Sequence, residues 1–381
     1  MAKLGMPTVV VKFIEAGIEA IQRSQRGIVA LILEDTKQVI DKLAIKTNGH
    51  EVLPNPFLVY TVDDIPEELS DKNKDYILKA LKGYNKPPLK VVVYMMQQGG
   101  DKAGADRFQE PLKAMLTERF DYLAIPTIET AQLEYVATWV KTARENKFKK
   151  IKVVLPGSNA DYEGVINFGN TKVVTADREY KAAEYTARIA GLVAGTNMTQ
   201  SATYAPLTEV IDCDRHTQDE MDTMVNEGKF FIWYDGEKFK MSRAMNSLVT
   251  TSQGKLEGYQ TIKIVDIMDM IYDDIRKTAQ DSYIGKYTND YENKCLLISA
   301  ILGYFKQLEN ERLLQKDYST CEIDCEAVRT YQLSHGLFTK EELAKMSDDE
   351  VKKLDTKKIV FLKAKVRPLD AMEDIQLPIN I

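Results

Sequence analysis

The residues best placed to do chemistry lie in Gln97-Gln98-Gly99-Gly100-Asp101-Lys102-Ala103-Gly104-Ala105-Asp106, a glycine-rich loop directly after an apolar run. Gly99 and Gly104 have the glycine spacing of a phosphate-cradling loop, which requires Lys and then Ser or Thr after the second glycine. Ala105 and Asp106 stand there instead. A carboxylate at that helix start would occupy the positive end of the dipole that a phosphate needs. The glycine order does not fit the dinucleotide pattern Gly-x-Gly-x-x-Gly either. A second loop, Gly157-Ser158-Asn159-Ala160-Asp161, lacks a basic residue close in sequence, and turn chemistry accounts for it. Cys321-x-x-x-Cys325 is half a metal site at best, because His50, His216 and His335, the three histidines, fall at no ligand spacing to it. There is no Gly-x-Ser-x-Gly and no His-Glu-x-x-His. The expectation is a protein that is not an enzyme and holds no metal or cofactor; the alternative is a nucleotide- or small-ligand-binding α/β enzyme.

The elements that would position these loops are legible. Arg26 to Leu33 is a continuous apolar run ended by Glu34-Asp35, the pattern of a strand buried on both faces. Leu89 to Met96, Tyr122 to Pro126 and Ile151 to Leu155 are further strand-length runs, and Pro56 to Val62 reads as another strand. Between them the spacing predicts two amphipathic helices, one carrying Phe108, Leu112, Met115 and Leu116, the other Leu133, Val136, Ala137, Val140 and Ala143. Strand and helix alternating in this way mean right-handed crossovers and an open parallel α/β sheet. Lys46 to Asn55 reads as loop.

Beyond this region the pattern changes to α+β. A helix is expected over 177–194, with Ala183, Ala187, Ala190 and Ala194 giving one nearly flat side, and Gly195 stopping it. A strand at Glu209 to Asp212, a short helix from Thr217 to Asn226, and a hairpin over 230–241 with Asp235-Gly236 at its turn follow. Tyr259 to Ile264 reads as strand, then come helices from Val265 to Asp281 and from Tyr291 to Arg312. The latter places Tyr291, Cys295, Ile298, Leu302 and Phe305 on one stripe. Leu337 to Asp355, rich in Lys, Glu and Asp, reads as a solvated helical insertion.

Composition bounds the class. With 381 residues, 44% of them hydrophobic and 28% charged, the chain has material for two or three globular domains. A net charge of −6 argues against gripping phosphate backbones, so no direct nucleic-acid partner is expected. No apolar run reaches the length of a membrane span and no signal peptide is recognisable, so neither membrane insertion nor export by that route is expected. Four cysteines suit a reducing compartment.

The two extremities are unusual. In Asp374 to Ile381 the residues Ile375, Leu377, Ile379 and Ile381 fall at every second position, so an extended segment has one wholly aliphatic face. Chain ends ordinarily fray, because fixing each residue's backbone costs roughly 1–2 kcal/mol. Such a face, with Pro378 unable to donate to a ladder, implies a sheet edge waiting to receive it. From Val366 onward the tail can reach about 50 Å, farther than the radius of a compact domain. Thr8 to Phe13 repeats the pattern near the other end, with Val9, Val11 and Phe13 alternating, and Ile359 to Val366 reads as a further strand.

Ala190-Gly191-Leu192-Val193-Ala194-Gly195-Thr196 followed by Gln200-Ser201-Ala202-Thr203-Tyr204, the hairpin with Ser247 to Thr251, Ile264 to Asp274, and Val366-Arg367-Pro368-Leu369-Asp370-Ala371-Met372-Glu373 together resemble the contractile tail sheath proteins of phages and phage-tail-like bacteriocins. Gly5-Met6-Pro7 and Gln22 to Gly27 look like the compact sheaths of Gram-positive bacteria and their phages, although the Pro-Gly-Val-Tyr opening common in the family is missing. The resemblance implies stacked hexameric rings around an inner tube, linked by strands that neighbouring copies exchange, and contraction that drives the tube through an envelope. The partners it implies are other copies of the chain, the inner tail tube protein, and the baseplate and tail terminator proteins. It implies a place in a virion tail or tail-like particle, assembled in the bacterial cytoplasm and released. A baseplate protein is the rival structural reading.

On this reading 1–26 is the N-terminal arm and start of the sheath domain, 27–174 an inserted outer α/β domain, 175–366 the sheath domain proper, and 367–381 the C-terminal arm. Val9, Val11, Phe13, Ile375, Leu377, Ile379 and Ile381 would be the exchanged faces. Val360, Leu362, Ala364 and Val366 would belong to the receiving sheet, and Glu309, Glu311 and Arg312 to a tube contact.

Overall fold

Alternate residues of the strand β1 (Ile28–Asp35) enter two different cores, and this organises the larger part of the chain. The computed structural model describes residues 20–43, 45–47, 50–52, 55–99 and 104–380. Beside β1 lie β2 (Phe57–Val59), β3 (Lys90–Gln97), β4 (Tyr122–Ala124), β5 (Lys152–Pro156), β6 (Val165–Phe168) and β7 (Lys229–Phe230), in the spatial order β7-β6-β5-β4-β1-β3-β2. All neighbours are parallel except β2, which runs antiparallel to β3. The expected parallel sheet is therefore present, with an antiparallel edge strand.

Val29, Leu31 and Leu33 face helices α1 (Asp71–Leu81) and α4 (Ala182–Ala194), while Ile28, Ala30 and Ile32 face α2 (Gln109–Met115) and α3 (Leu133–Glu145). Both faces being covered explains why β1 is apolar without alternation. Gly191 on α4 lets α1 approach so closely that a Cβ added there would lie 2.0 Å from the Ala80 carbonyl oxygen. Of the alanines expected on its flat side, Ala187, Ala190 and Ala194 lie in the core on this face, while Ala183 packs against the other.

By contacts within the chain, one compact unit comprises Arg23–Asp273 with Pro368–Ile381, and the other Met1–Gln22 with Asp274–Arg367. The unit holding the sheet continues beyond 174, because α4 is the cover of one sheet face and β7 is its last strand.

Several local expectations need correction. Ile45–Thr47 and His50–Val52 pair as a short antiparallel hairpin where loop was expected. Glu179–Lys181 is a strand paired with Lys172–Thr175, so the helix starts only at Ala182. In the hairpin, Tyr234 pairs with Phe239 and the Asp235 N–H reaches the Lys238 carbonyl, so Gly236 and Glu237 are central rather than Asp235 and Gly236. Gly236 has φ +101, the conformation its position demands. Tyr259–Ile264 is not a strand: a 3-10 turn at Glu257–Gln260 leads into α5 (Ile262–Thr278).

The helix wins there because its polar face has partners. Asp266, Asp269 and Asp273, spaced for one side of α5, meet cations from the sheet unit. Arg144 donates to both Asp269 oxygens at 2.9 Å, and Lys152 reaches Asp269 at 2.6 Å and Asp266 at 2.9 Å. Arg26 bridges Asp121 and Asp273 at 2.9 Å each, and the Tyr122 hydroxyl donates to Asp266. Burial alone would push the Asp269 carboxyl up, but Lys152 and Arg144 overcome it and hold the group at about 2. Burial raises the Asp273 carboxyl in spite of Arg26.

The second unit contains α6 (Tyr291–Asn310), β8 (Thr320–Ile323), α7 (Cys325–Ser334) and β9 (Leu362–Lys365). Ile323, Cys325, Val328 and Val351 form its small core, with Tyr291, Ile298, Phe361 and Leu362 against them. The buried stripe of α6 is Ile301, Tyr304, Phe305 and Leu308; Cys295 and Leu302 are only half-buried, a rotation from the stripe expected. The Tyr304 hydroxyl donates to Asp274 at 2.6 Å and supplies a polar anchor that a purely apolar count ignores. The charged stretch after 337 forms two short helices, Lys340–Lys345 and Asp348–Val351, each opened by a capping box.

Candidate assembly site

The C-terminal arm is gripped at one point and bare beyond it. Thr203 donates its hydroxyl to Glu373 at 2.6 Å and Ser201 donates to the same oxygen at 3.1 Å. The Thr203 hydroxyl also accepts the Ala244 N–H at 2.9 Å, so it is oriented before it meets the carboxylate. Arg243 completes the clasp, with Nε 3.4 Å from Glu373 and Nη2 2.5 Å from Asp374. Upstream, the Thr261 hydroxyl lies 3.4 Å from Asp370. The Glu373 side chain is 14% exposed, Asp374 is 74% exposed but still paired with Arg243, and Ile375 is 82% exposed, so the held chain ends at Asp374.

Past the clasp, residues 374–380 belong to no strand. Ile375, Leu377 and Ile379 are 82%, 74% and 75% exposed. The strand read there from alternation is not formed within the single chain, because no strand of the described residues lies beside it to accept its hydrogen bonds. Val9, Val11, Phe13 and Ile381 lie outside the described residues.

Of the stretch expected to receive strands, 362–365 is β9, antiparallel to β8 with Leu362 opposite Ile323 and Ala364 opposite Cys321. These two strands make a sheet by themselves among the described residues, so each has an edge with no strand beside it. Val360 and Ala364 are exposed, Leu362 and Val366 half-buried. Glu309 is turned inward: its carboxylate accepts the backbone N–H groups of Asp317 and Ser319 at 3.1 and 3.3 Å. Glu311 and Arg312 are exposed, with Gln307 donating to Glu311 at 2.9 Å.

Gln97, Gln98, Gly99 and Gly104 of the glycine-rich loop line a cleft at the carboxyl ends of β1 and β3, together with Glu34, Glu110, Glu129 and Arg107. Arg107 is paired with Glu34. The four cysteines are free, and burial pushes the Cys213 and Cys321 thiols up to about 11. No helix among the described residues is long and apolar enough to cross a membrane.

The segments that meet at the clasp, 201–203 and 370–373, are those that carried the resemblance, and comparison with known proteins agrees. A tail sheath protein of Clostridium phage phiCD119 is 32% identical to this chain over 99% of both. The chain belongs to the phage tail sheath protein family. A family model described as the phage tail sheath protein central domain matches residues 101–247 of this sheath protein, and one described as the phage tail sheath C-terminal domain matches 255–381. Among solved structures, a sheath tail protein of Desulfitobacterium hafniense aligns with a TM-score of 0.67 at 20% identity, covering 83% of this chain and 94% of that one. The helical sheath of the anti-feeding prophage in its contracted state aligns with a TM-score of 0.69 at 13% identity, covering 99% of both. The fold is thus that of sheath subunits, and the protein is a structural component of a contractile tail or tail-like particle.

Clasp residues Glu373, Thr203, Ser201 and Arg243 were not singled out as a site from sequence. For Ser201, Thr203 and Glu373 the only signal was their place in the two motifs, Arg243 lay in none, and nothing in the order of residues says that positions 170 and 172 apart touch.

Proposed function

We propose that copies of this sheath protein are joined by exchanged strands, with the arm beyond Glu373 adding to a sheet edge of a neighbour. The observation that carries the reading is the aliphatic face of Ile375, Leu377 and Ile379, held in the open by an arm anchored at its root. Burying three such side chains gives about 5–9 kcal/mol. Fixing the seven residues 374–380 costs roughly 7–14 kcal/mol in backbone entropy alone. Apolar burial by itself therefore does not order the arm; it needs the backbone hydrogen bonds of a receiving edge as well. Val360, Leu362, Ala364 and Val366 are the proposed receiving segment, and Val9, Val11 and Phe13 the proposed second arm.

Stacked hexameric rings around an inner tube, with the body moving while strand links persist, is the finer mechanism that this arrangement supports. Energy would come from a metastable assembly reaching a better-packed one, with no catalytic step and no cofactor. Because the Glu309 carboxylate is engaged by backbone, a tube contact on this helix end rests on Glu311 and Arg312. Baseplate and terminator proteins are proposed to cap the column, in a particle assembled in the bacterial cytoplasm and then released.

Removing 377–381 tests the reading. The truncated chain is expected to keep its fold and remain monomeric by light scattering, whereas the full chain is expected to form cylinders in electron micrographs. Normal polymerisation of the truncated chain overturns it.

A further inference from the structure

We propose that Glu373 is a positioning residue for assembly: the clasp of Ser201, Thr203 and Arg243 fixes where and in what direction the exchanged arm leaves the body. This rests on the strand-exchange reading above. The geometry separates the two jobs within adjacent residues. Glu373 takes two hydroxyl donors on one oxygen, at 2.6 and 3.1 Å, and faces Arg243 with the other. The next apolar residue, Ile375, already stands 82% exposed.

The donors are themselves held. Thr203 accepts from the Ala244 N–H and its own N–H donates to the Ser201 hydroxyl at 3.1 Å. The neighbouring Tyr204 N–H donates to the Met241 carbonyl at 3.2 Å, and Tyr204 packs on Trp233 with ring centroids 5.7 Å apart. The clasp is therefore built on the hairpin rather than on a free loop. A tether rooted in this way confines its tip to a smaller volume, which raises its effective concentration at a neighbouring sheet edge. It also removes in advance part of the ordering cost of binding. The carboxylate is well suited to the task, since hydrogen bonds to an ionised acceptor are short and directional.

The test uses the full chain with Ser201→Ala and Thr203→Val together, which leaves Glu373, its charge and the whole arm intact. Three measurements are made: the rate at which a carbodiimide with glycine ethyl ester labels Glu373 relative to the exposed Asp374, the melting temperature, and the lowest concentration at which cylinders form. Expected are about tenfold faster relative labelling of Glu373, a melting temperature lowered by a few degrees through the lost acceptor of the Ala244 N–H, and about a tenfold rise in the assembly concentration, with Thr203→Ser in place of Thr203→Val restoring most of the last. Faster labelling with unchanged assembly overturns the positioning role, as does labelling equal to the parent. If the double variant does not stay folded at the assay temperature, Glu373→Ala, which removes every clasp acceptor, replaces it, and assembly at the parental concentration then overturns the proposal. The strand-exchange reading stands or falls separately, by whether the chain lacking 377–381 assembles.

Discussion

Asp269→Asn tests the ionic docking of α5. Asp269 is buried, its two oxygens take both Arg144 nitrogens at 2.9 Å, and Lys152 lies at 2.6 Å. Lowering its carboxyl from the ordinary 3.8 to about 2 corresponds to about 2–3 kcal/mol in favour of the charged form. Neutralising it also deprives Arg144 of its buried counter-charge, leaving it the Ile151 carbonyl at 3.1 Å and the Tyr162 side chain. Breaking a buried pair on one side costs about 3–5 kcal/mol. The variant is therefore expected to lose about 3–4 kcal/mol, a large part of the stability of an ordinary domain. Trp139 and Trp233, the two tryptophans of the chain, both lie in the unit containing Asp269, so urea titration followed by tryptophan fluorescence reads that unit.

The same group sets a pH signature. Because the folded value is below the unfolded one, this contribution is complete above about pH 4 and is lost as pH falls towards 2. The parent protein should lose more stability between pH 5 and pH 2.5 than Asp269→Asn does. Replacing Arg144 with Met and Asp269 with Leu together should cost less than either single change, since no lone charge is left buried. An Asp269→Asn variant within about 0.5 kcal/mol of the parent, the range of ordinary surface substitutions, would refute the reasoning.

Other outcomes follow from single contacts. Gly191→Ala places a Cβ 2.0 Å from the Ala80 carbonyl oxygen, so overpacking of about 1–3 kcal/mol and a lower melting temperature are expected by calorimetry. Replacing Ile375, Leu377 and Ile379 together with Asp should leave the melting temperature of the dispersed chain unchanged, because all three are exposed, while abolishing cylinders in electron micrographs. Cys213 and Cys321, buried and with thiols pushed up to about 11, should react with Ellman's reagent at pH 8 only on unfolding, whereas half-buried Cys295 reacts first. Mass mapping of the first modified cysteine checks this.

What the sequence determined by itself was everything carried by local pattern. The uninterrupted apolar run of β1 announced a strand with two covered faces, and the strand and helix alternation from Leu89 to Leu155 announced parallel neighbours. The alternation of Ile375, Leu377 and Ile379 made an aliphatic face legible, which the single chain leaves exposed. These signals are short-range because side-chain periodicity is a property of one element. Tertiary structure decided the rest. Tyr259 to Ile264 looks like a strand, but its second half opens the helix on which Asp266, Asp269 and Asp273 meet Arg26, Arg144 and Lys152. Glu309 looks like a surface charge until the chain returns with the Asp317 and Ser319 amides. The grip on Glu373 exists only because the fold carries residues 201, 203 and 243 to it, and charge pairing between distant positions leaves no periodic trace in a single sequence.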